Sequence, residues 1–325
     1  MADEIQFVIE FTATLVDYAD FNPDQDAEAL REAMKGLGTE EKVIIAIVAN
    51  RTRRQRLKIE ETYKQKYGRD LKENLKSELS GDFEDVVLAM FYPPAEGDAR
   101  FLHKAMCGVG TDEEALVEIL ATRYNNQIKD IKEAYKAKYE KELEKAIKGD
   151  TSGDFKRLLV ILLQANRDET FAVDRDLAKA EAKLLIDAGV KYWGTDEAKF
   201  IEIFCNRSFP QIRATCYEYE KLAGHTMLKA VDKEFSGDMK KALTAIIQIS
   251  DYAPIYFANR LHKAMCGVGT DDSTLIRIVT TRCEVDMGEI KKEFEKTYGK
   301  SLFSWIKDDT SGDYKRMLLC LIRDD

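Results

Sequence analysis

Four carboxylates hold one fixed place in this chain. Glu78, Asp150, Glu234 and Asp309 each stand two positions before the serine of an S-G-D triplet, at Ser80, Ser152, Ser236 and Ser311. Each of those serines follows a glycine of a G-x-G-T string, and the distance along the chain is the same every time. The glycines are Gly38, Gly110 and Gly269, with Gly194 in a degenerate copy, YWGT, at 192–195. The donors such a pattern offers are oxygens. A tight glycine turn cannot aim side chains at an ion, but it can turn several backbone carbonyls inward. One bidentate carboxylate and water then complete the six to eight oxygens that calcium takes. Magnesium's tight octahedron fits such a loop poorly, and zinc asks for sulfur or nitrogen. An EF-hand is excluded, because its acidic ligands alternate within one twelve-residue loop. With one carboxylate per ion, the expected affinity is weak, about 10⁻⁴–10⁻³ M, and positions stay open for an outside anion such as a lipid phosphate.

The residues between the glycines are Leu37, Val109, Trp193 and Val268. All are apolar, and four apolar tips beside four cations could enter a headgroup boundary, where tryptophan is favoured. The formal charge of the chain is −9, and four calcium ions would bring it to −1. No general basic field exists to attract nucleic acid or an anionic membrane unaided. No apolar run is long enough to span a bilayer, and the acidic start MADEIQFVIEF does not read as a secretion signal. The 6 cysteines show no CxxC or zinc spacing, so reduced cytosolic thiols are expected.

The elements that must position these residues come in four copies. Arg51, Arg123, Arg207 and Arg282 each follow the motif threonine at one constant distance, which makes a third marker beside the glycine string and S-G-D. The interval between copies is longest from the second to the third. That interval contains NRDETFAVDRD, 166–176, which reads as a linker and groups the copies two plus two. The chain therefore divides into a head (1–21), repeats at 22–93, 94–166, 178–251 and 252–325, and a linker at 167–177. Within a copy the apolar spacing is helical, as at Val43, Ile44, Ile47 and Val48, or Phe83, Val86, Val87 and Met90. Thr39, Thr111, Thr195 and Thr270, each before an acidic residue, read as N-caps, with Thr111 and Glu114 as a capping box. Tyr67-Gly68 and Tyr298-Gly299 read as helix ends. The expectation is an all-α protein of about five short helices per copy. In the head, Ile5, Val8, Ile9, Thr12 and Val16 would line one helical face, while Gln6–Phe11 alternates like a strand.

M-K-G-x-G-T, an acidic residue and then S-G-D, repeated four times along the chain, resembles the annexin family. The resemblance covers about residues 22–325 and implies four five-helix repeats packed as a curved disc, with calcium loops on its convex face. It implies calcium ligands at the carbonyls of Met34, Gly36 and Gly38 with Glu78, and of Met106, Gly108 and Gly110 with Asp150. For the third and fourth repeats it implies Gly189, Tyr192 and Gly194 with Glu234, and Met265, Gly267 and Gly269 with Asp309. Secondary sites would use Thr39 with Glu41 and Thr111 with Glu113. Tyr192 departs from the family pattern, as do Cys107 and Cys266, which replace the lysine present at Lys35. The implied function is reversible, calcium-dependent binding of acidic phospholipid by a non-enzymatic cytoplasmic protein, recruited to the cytoplasmic face of membranes as calcium rises. The family also suggests EF-hand or cytoskeletal protein partners, a membrane-bound homo-oligomer, and a head that docks on the disc.

Two other readings compete. A calcium-independent helical scaffold for proteins would use the acids as caps, but leaves the constant glycine-to-serine offset and the apolar tips unexplained. A membrane-associated ion channel would run past Asp98, Glu118, Arg123 and Arg277, which match channel-lining positions in annexins; structural ion pairing is the plainer role. His103 and His262, in matching LHKAM contexts, suggest packing or capping rather than catalysis.

Overall fold

The computed structural model describes residues 11–36, 38–189 and 196–324. Among them are 19 α-helices and no strand. The first copy holds α1 (Pro23–Ala33), α2 (Glu41–Val48), α3 (Arg53–Tyr67), α4 (Leu71–Glu78) and α5 (Gly81–Phe91). The second repeats the set with α6 (Pro94–Ala105), α7 (Glu113–Thr122), α8 (Asn125–Tyr139), α9 (Leu143–Asp150) and α10 (Gly153–Leu163). The third has α11 (Arg175–Gly189), α12 (Glu197–Asn206), α13 (Phe209–Ala223) and α14 (Met227–Glu234), and the fourth has α16 (Asp272–Arg282), α17 (Met287–Tyr298), α18 (Leu302–Asp309) and α19 (Gly312–Ile322). Between them α15 (Gly237–Met265) breaks at Tyr252, which is extended at φ −158° and ψ 101° just ahead of Pro254. Proline cannot continue a helix without losing a backbone bond, so α15 supplies the last helix of the third copy and the first of the fourth.

The apolar stripes face inward as their spacing requires. Ile44, Val48, Val86, Val87 and Met90 are completely buried, and Gly68 and Gly299 close α3 and α17 in the left-handed conformation at φ 64° and 69°. Two compact units result, one of residues 1–93 with 257–325, the other of 94–256. In the first, α5 packs on α16 and α19; in the second, α10 packs on α12.

The motif arginines pair with acids inside their own repeats. Arg51 holds Asp26 at 2.7 and 2.9 Å, Arg123 holds Asp98 at 2.6 and 2.8 Å, and Arg207 holds Glu181 at 2.6 Å. Each acid lies on the first helix of its repeat, so the pair locks that helix to the end of the second. In the fourth copy the position equivalent to Asp26 and Asp98 is Phe257. Arg282 stacks over the Phe257 ring at 4.5 Å and turns its fork to Asp286, one helical turn on.

The head departs from the helical expectation where it is described. Thr12 and Val16 lie in a non-helical strap that bends at Thr14 and Leu15, while Ile5, Val8, Ile9 and most of the alternating stretch lie outside the described residues. Thr14 and Leu15 both donate their N–H to the Cys283 carbonyl at 2.9 Å, and the Thr12 N–H donates to Glu289 Oε2 at 2.7 Å. The Thr14 hydroxyl donates to Leu321 O, and Tyr18 exchanges two hydrogen bonds with the Gln55 side chain. The strap thus docks on the fourth and first repeats together. The linker makes the same exchange, between Asp174 and Gln211, in the other unit.

Candidate functional site: glycine loops and their carboxylates

All four carboxylates end a helix of two turns: Glu78 ends α4, Asp150 α9, Glu234 α14 and Asp309 α18. A helix C-terminus carries partial negative charge and favours cations. An acid there adds to that charge instead of balancing it, which makes the position attractive to a cation. The chain then turns through the S-G-D glycines, Gly81, Gly153, Gly237 and Gly312, at φ 62°, 60°, 56° and 62°.

The glycine loops take their shape from a conformation that side chains resist. Gly36 and Gly38 have φ 102° and 92°, Gly108 and Gly110 have 101° and 88°, and Gly267 and Gly269 have 120° and 84°. Two left-handed residues flanking one tip coil the backbone tightly. Each loop is closed by one bond of the same kind: Glu40 N–H to Ala33 O, Asp112 N–H to Ala105 O, Asp196 N–H to Ala188 O and Asp271 N–H to Ala264 O, at 2.8–3.1 Å. The tips at Val109 and Val268 are fully exposed.

Threonine joins loop to carboxylate. Thr111 Oγ1 donates to Asp150 Oδ2 at 2.7 Å, Thr270 Oγ1 to Asp309 Oδ2 at 2.6 Å, and Thr39 Oγ1 to Glu78 Oε2 at 3.2 Å. The N-cap expectation for these threonines is therefore corrected. The caps are Asp112 and Asp271, which accept from the N–H groups of Ala115 and Thr274, while Glu40 occupies that position before α2 without a side-chain bond. The threonine hydroxyl turns the other way, toward the distant acid, so the Thr111–Glu114 capping box does not form.

In the third repeat, Val190–Thr195, including Tyr192, Trp193, Gly194 and the expected cap Thr195, lie outside the described residues, as does the tip Leu37. Gly189, at the end of α11, approaches Glu234: a methyl group built there would lie 3.8 Å from Glu234 Cγ. Tyr192 stands where the other copies place a glycine at φ 101–120°.

The donors fit calcium better than a transition metal. Among the described residues no cluster of three or more His, Cys, Asp or Glu side chains could hold a metal ion. Oxygens for an ion at these loops must come largely from the backbone, which is the chemistry of a hard cation. The conformation of the glycines, the threonine bridge and the acid at the helix end recur together in the first, second and fourth copies.

That recurrence matches a known pattern: the family model described as Annexin fits residues 25–90, 97–162, 180–246 and 256–321. The chain belongs to the annexin family. It is 49% identical to human annexin A13 over 302 residues, covering 93% of this chain and 96% of that one. It is 47% identical to human annexin A3 over 306 residues, covering 94% and 95%. Human annexin A7 is 48% identical over 304 residues, but there this chain spans 62% of the relative's length. Among solved structures, annexin III superposes with a TM-score of 0.94 at 46% identity, covering 97% of this chain and 98% of that one. A calcium-bound annexin (Sm)1 superposes at 0.86 with 35% identity, covering 97% and 93%. Annexins are known for calcium-dependent phospholipid binding.

The residues at the channel-lining positions, and the two histidines of the LHKAM strings, have structural surroundings. Asp98 and Arg123 are bound to each other, and Glu118 and Arg277 are buried, at 2% and 1% exposed. His103 stacks on Tyr139 at 3.8 Å and His262 on Tyr298 at 3.7 Å, which is the packing role expected of them. Burial holds the His103 imidazole below its ordinary value and pushes Tyr135 up to about 12. Two features had weak signals in the sequence. The threonine bridge shows only as a constant offset between threonine and acid, and Cys107 facing His103 shows only as a one-turn spacing on a helix end.

Proposed function

We propose that this annexin binds acidic phospholipid surfaces when calcium fills its glycine loops. The ligands in the first, second and fourth repeats are the carbonyls of Met34, Gly36 and Gly38 with Glu78, of Met106, Gly108 and Gly110 with Asp150, and of Met265, Gly267 and Gly269 with Asp309. The third repeat uses Gly189, Tyr192 and Gly194 with Glu234. Calcium supplies a bridge between these oxygens and a lipid phosphate. The chain shapes each loop, holds the acid against it and offers the tips Leu37, Val109, Trp193 and Val268 for shallow insertion. Secondary sites at Thr39 with Glu41 and Thr111 with Glu113 add capacity. The protein acts without enzymatic turnover, and in a cell it works at the cytoplasmic face of membranes.

The observation that supports this reading most is the bond from Thr39, Thr111 and Thr270 to their partner acids in the first, second and fourth repeats. It brings a carbonyl-rich loop and a carboxylate to one place from separate inter-helix turns. The test is sedimentation with phosphatidylserine vesicles in calcium and in EGTA, comparing the wild type with Glu78→Gln/Asp150→Asn/Glu234→Gln/Asp309→Asn. Calcium-dependent pelleting that the quadruple variant loses supports the assignment. Pelleting that ignores both EGTA and the substitutions would return the chain to the scaffold reading.

A further inference from the structure

The chemistry left unused by the calcium loops sits directly beside one of them. Cys107 is exposed at the loop of the second repeat, between two proposed ligand positions, and its Sγ lies 3.2 Å from His103 Nε2. The other ring nitrogen, Nδ1, lies 3.3 Å from the Tyr135 hydroxyl. Either neutral tautomer accommodates the two contacts; in the reactive one, Nδ1–H donates to the Tyr135 oxygen and the Nε2 lone pair accepts from the thiol. The ring is held in that orientation by stacking on Tyr139 with 15° between planes. A nucleophile, a base and a group that orients the base form a constellation distinct from a solitary surface thiol.

We propose that Cys107 and His103 form a base-assisted thiol site that exchanges with low-molecular-weight disulfides, and that the mixed disulfide formed there hinders lipid docking by the second-repeat loop. Cys107 Sγ attacks one sulfur of the disulfide, and its proton passes to His103 Nε2. The S–S bond of the reagent breaks, a new bond joins Sγ to the attacked sulfur, and the other half leaves as a thiolate that takes the proton from the imidazole. Cys107 is oxidised to the mixed disulfide and the leaving half is reduced to a thiol. The adduct then stands next to Gly108 and one position further from the exposed Val109, on the side of the loop that would meet a membrane. The effect on docking rests on the lipid-binding reading; the thiol chemistry does not.

The same chain contains its own comparison. Cys266 is also exposed and lies in the identical string LHKAMCGVGTD. There His262 is stacked on Tyr298 and meets the Trp305 ring edge-on at 4.8 Å, and the Tyr298 hydroxyl donates to Asn259.

The experiment treats the full-length protein with oxidised glutathione, quenches at intervals and follows Cys107 and Cys266 peptides by mass spectrometry. Cys107 is expected to react faster than Cys266 by on the order of tenfold, the contribution of a positioned base being the source of the difference. His103→Phe, which keeps the stack on Tyr139, should remove that advantage, and Tyr135→Phe should reduce it. Equal rates at the two cysteines in the wild type, or an undiminished ratio in His103→Phe, would overturn the site. Vesicle sedimentation of the glutathionylated protein gives the second readout. A higher calcium requirement that Cys107→Ser prevents is expected, and unchanged binding of the modified protein overturns the docking consequence. If even unmodified protein fails to pellet with calcium, the lipid-binding reading falls while the rate comparison still decides the thiol site.

Discussion

Replacing Gly288 with alanine sets two effects of opposite sign against each other. Gly288 lies in the first turn of α17, where alanine ordinarily stabilises a helix by up to about 1 kcal/mol. Here, however, a β-carbon would stand 2.8 Å from both the backbone oxygen and the Cβ of Thr12, a separation real structures do not tolerate. The strap must move away. It would give up the 2.8 Å bond from Gly288 N–H to Thr12 O and the 2.7 Å bond from Thr12 N–H to the buried carboxylate of Glu289. A neutral bond contributes about 0.5–1.5 kcal/mol and one to a charged group about 1.5–3 kcal/mol, so the combined loss is about 2–4.5 kcal/mol. Subtracting a helix gain of about 1 kcal/mol leaves a net destabilisation of about 1–3.5 kcal/mol. For a unit of this size that lowers the melting temperature by about 2–14 °C. Gly149→Ala serves as the control, since Gly149 is helical and no atom lies within 4 Å of the added carbon. Its expected change is a gain of about 0.5–1 kcal/mol. The assay is thermal unfolding followed by circular dichroism, with limited proteolysis of the head segment as a local probe. If Gly288→Ala melts at or above the wild-type temperature while Gly149→Ala behaves as stated, the strap is not held as described.

Thr111→Val and Thr270→Val together remove two loop-to-acid hydroxyl bonds at little cost in volume. The double variant should need several-fold more calcium for half-maximal vesicle binding, about 1 kcal/mol per lost bond setting the scale; an unchanged calcium midpoint in sedimentation counts against the bridge. Val109→Asp and Val268→Asp should weaken vesicle binding yet leave urea unfolding within about 0.5 kcal/mol of wild type, because both side chains are fully exposed. Asp98→Asn removes the carboxylate charge that faces the Arg123 guanidinium in a site where both are largely buried, and should cost about 3–5 kcal/mol in urea unfolding. A loss under about 1 kcal/mol would mean that water reaches this pair, as it does at surface ion pairs.

What the sequence discloses, and what it conceals, follows from how each feature is encoded. Left-handed φ at both loop positions demands glycine, and the acid must follow at a fixed chain distance, so the G-x-G-T and S-G-D strings stand out even when neighbouring residues drift. The buried stripes of α2 and α5 are equally plain, because their helical period is the packing itself. The threonines mislead for a local reason. A threonine before an acidic residue looks the same whether its hydroxyl caps the next helix or faces an acid far along the chain. The head misleads because Thr12, Thr14 and Leu15 dock mainly through backbone N–H groups, which nearly every residue possesses and no pattern advertises. Arg282 illustrates a subtler limit: the arginine keeps its place in the repeat while its partner acid moves from the first helix to Asp286.

One unit of this protein is continuous in sequence, 94–256, and the other is assembled from the two ends of the chain. That difference matters during synthesis. The second and third repeats can close on each other as soon as residue 256 has left the ribosome. The first repeat emerges earliest and waits longest, because α16 and α19, which cover α5, are made last. At the usual rate of roughly 5–20 residues per second, the interval between completing residue 93 and completing α19 is roughly 10–50 s. Throughout it the outer faces of α2 and α5 lack the partners that bury them in the finished fold. A nascent-chain crosslinking series should find the first repeat engaged by chaperones until the final helix appears, with the middle two repeats released well before.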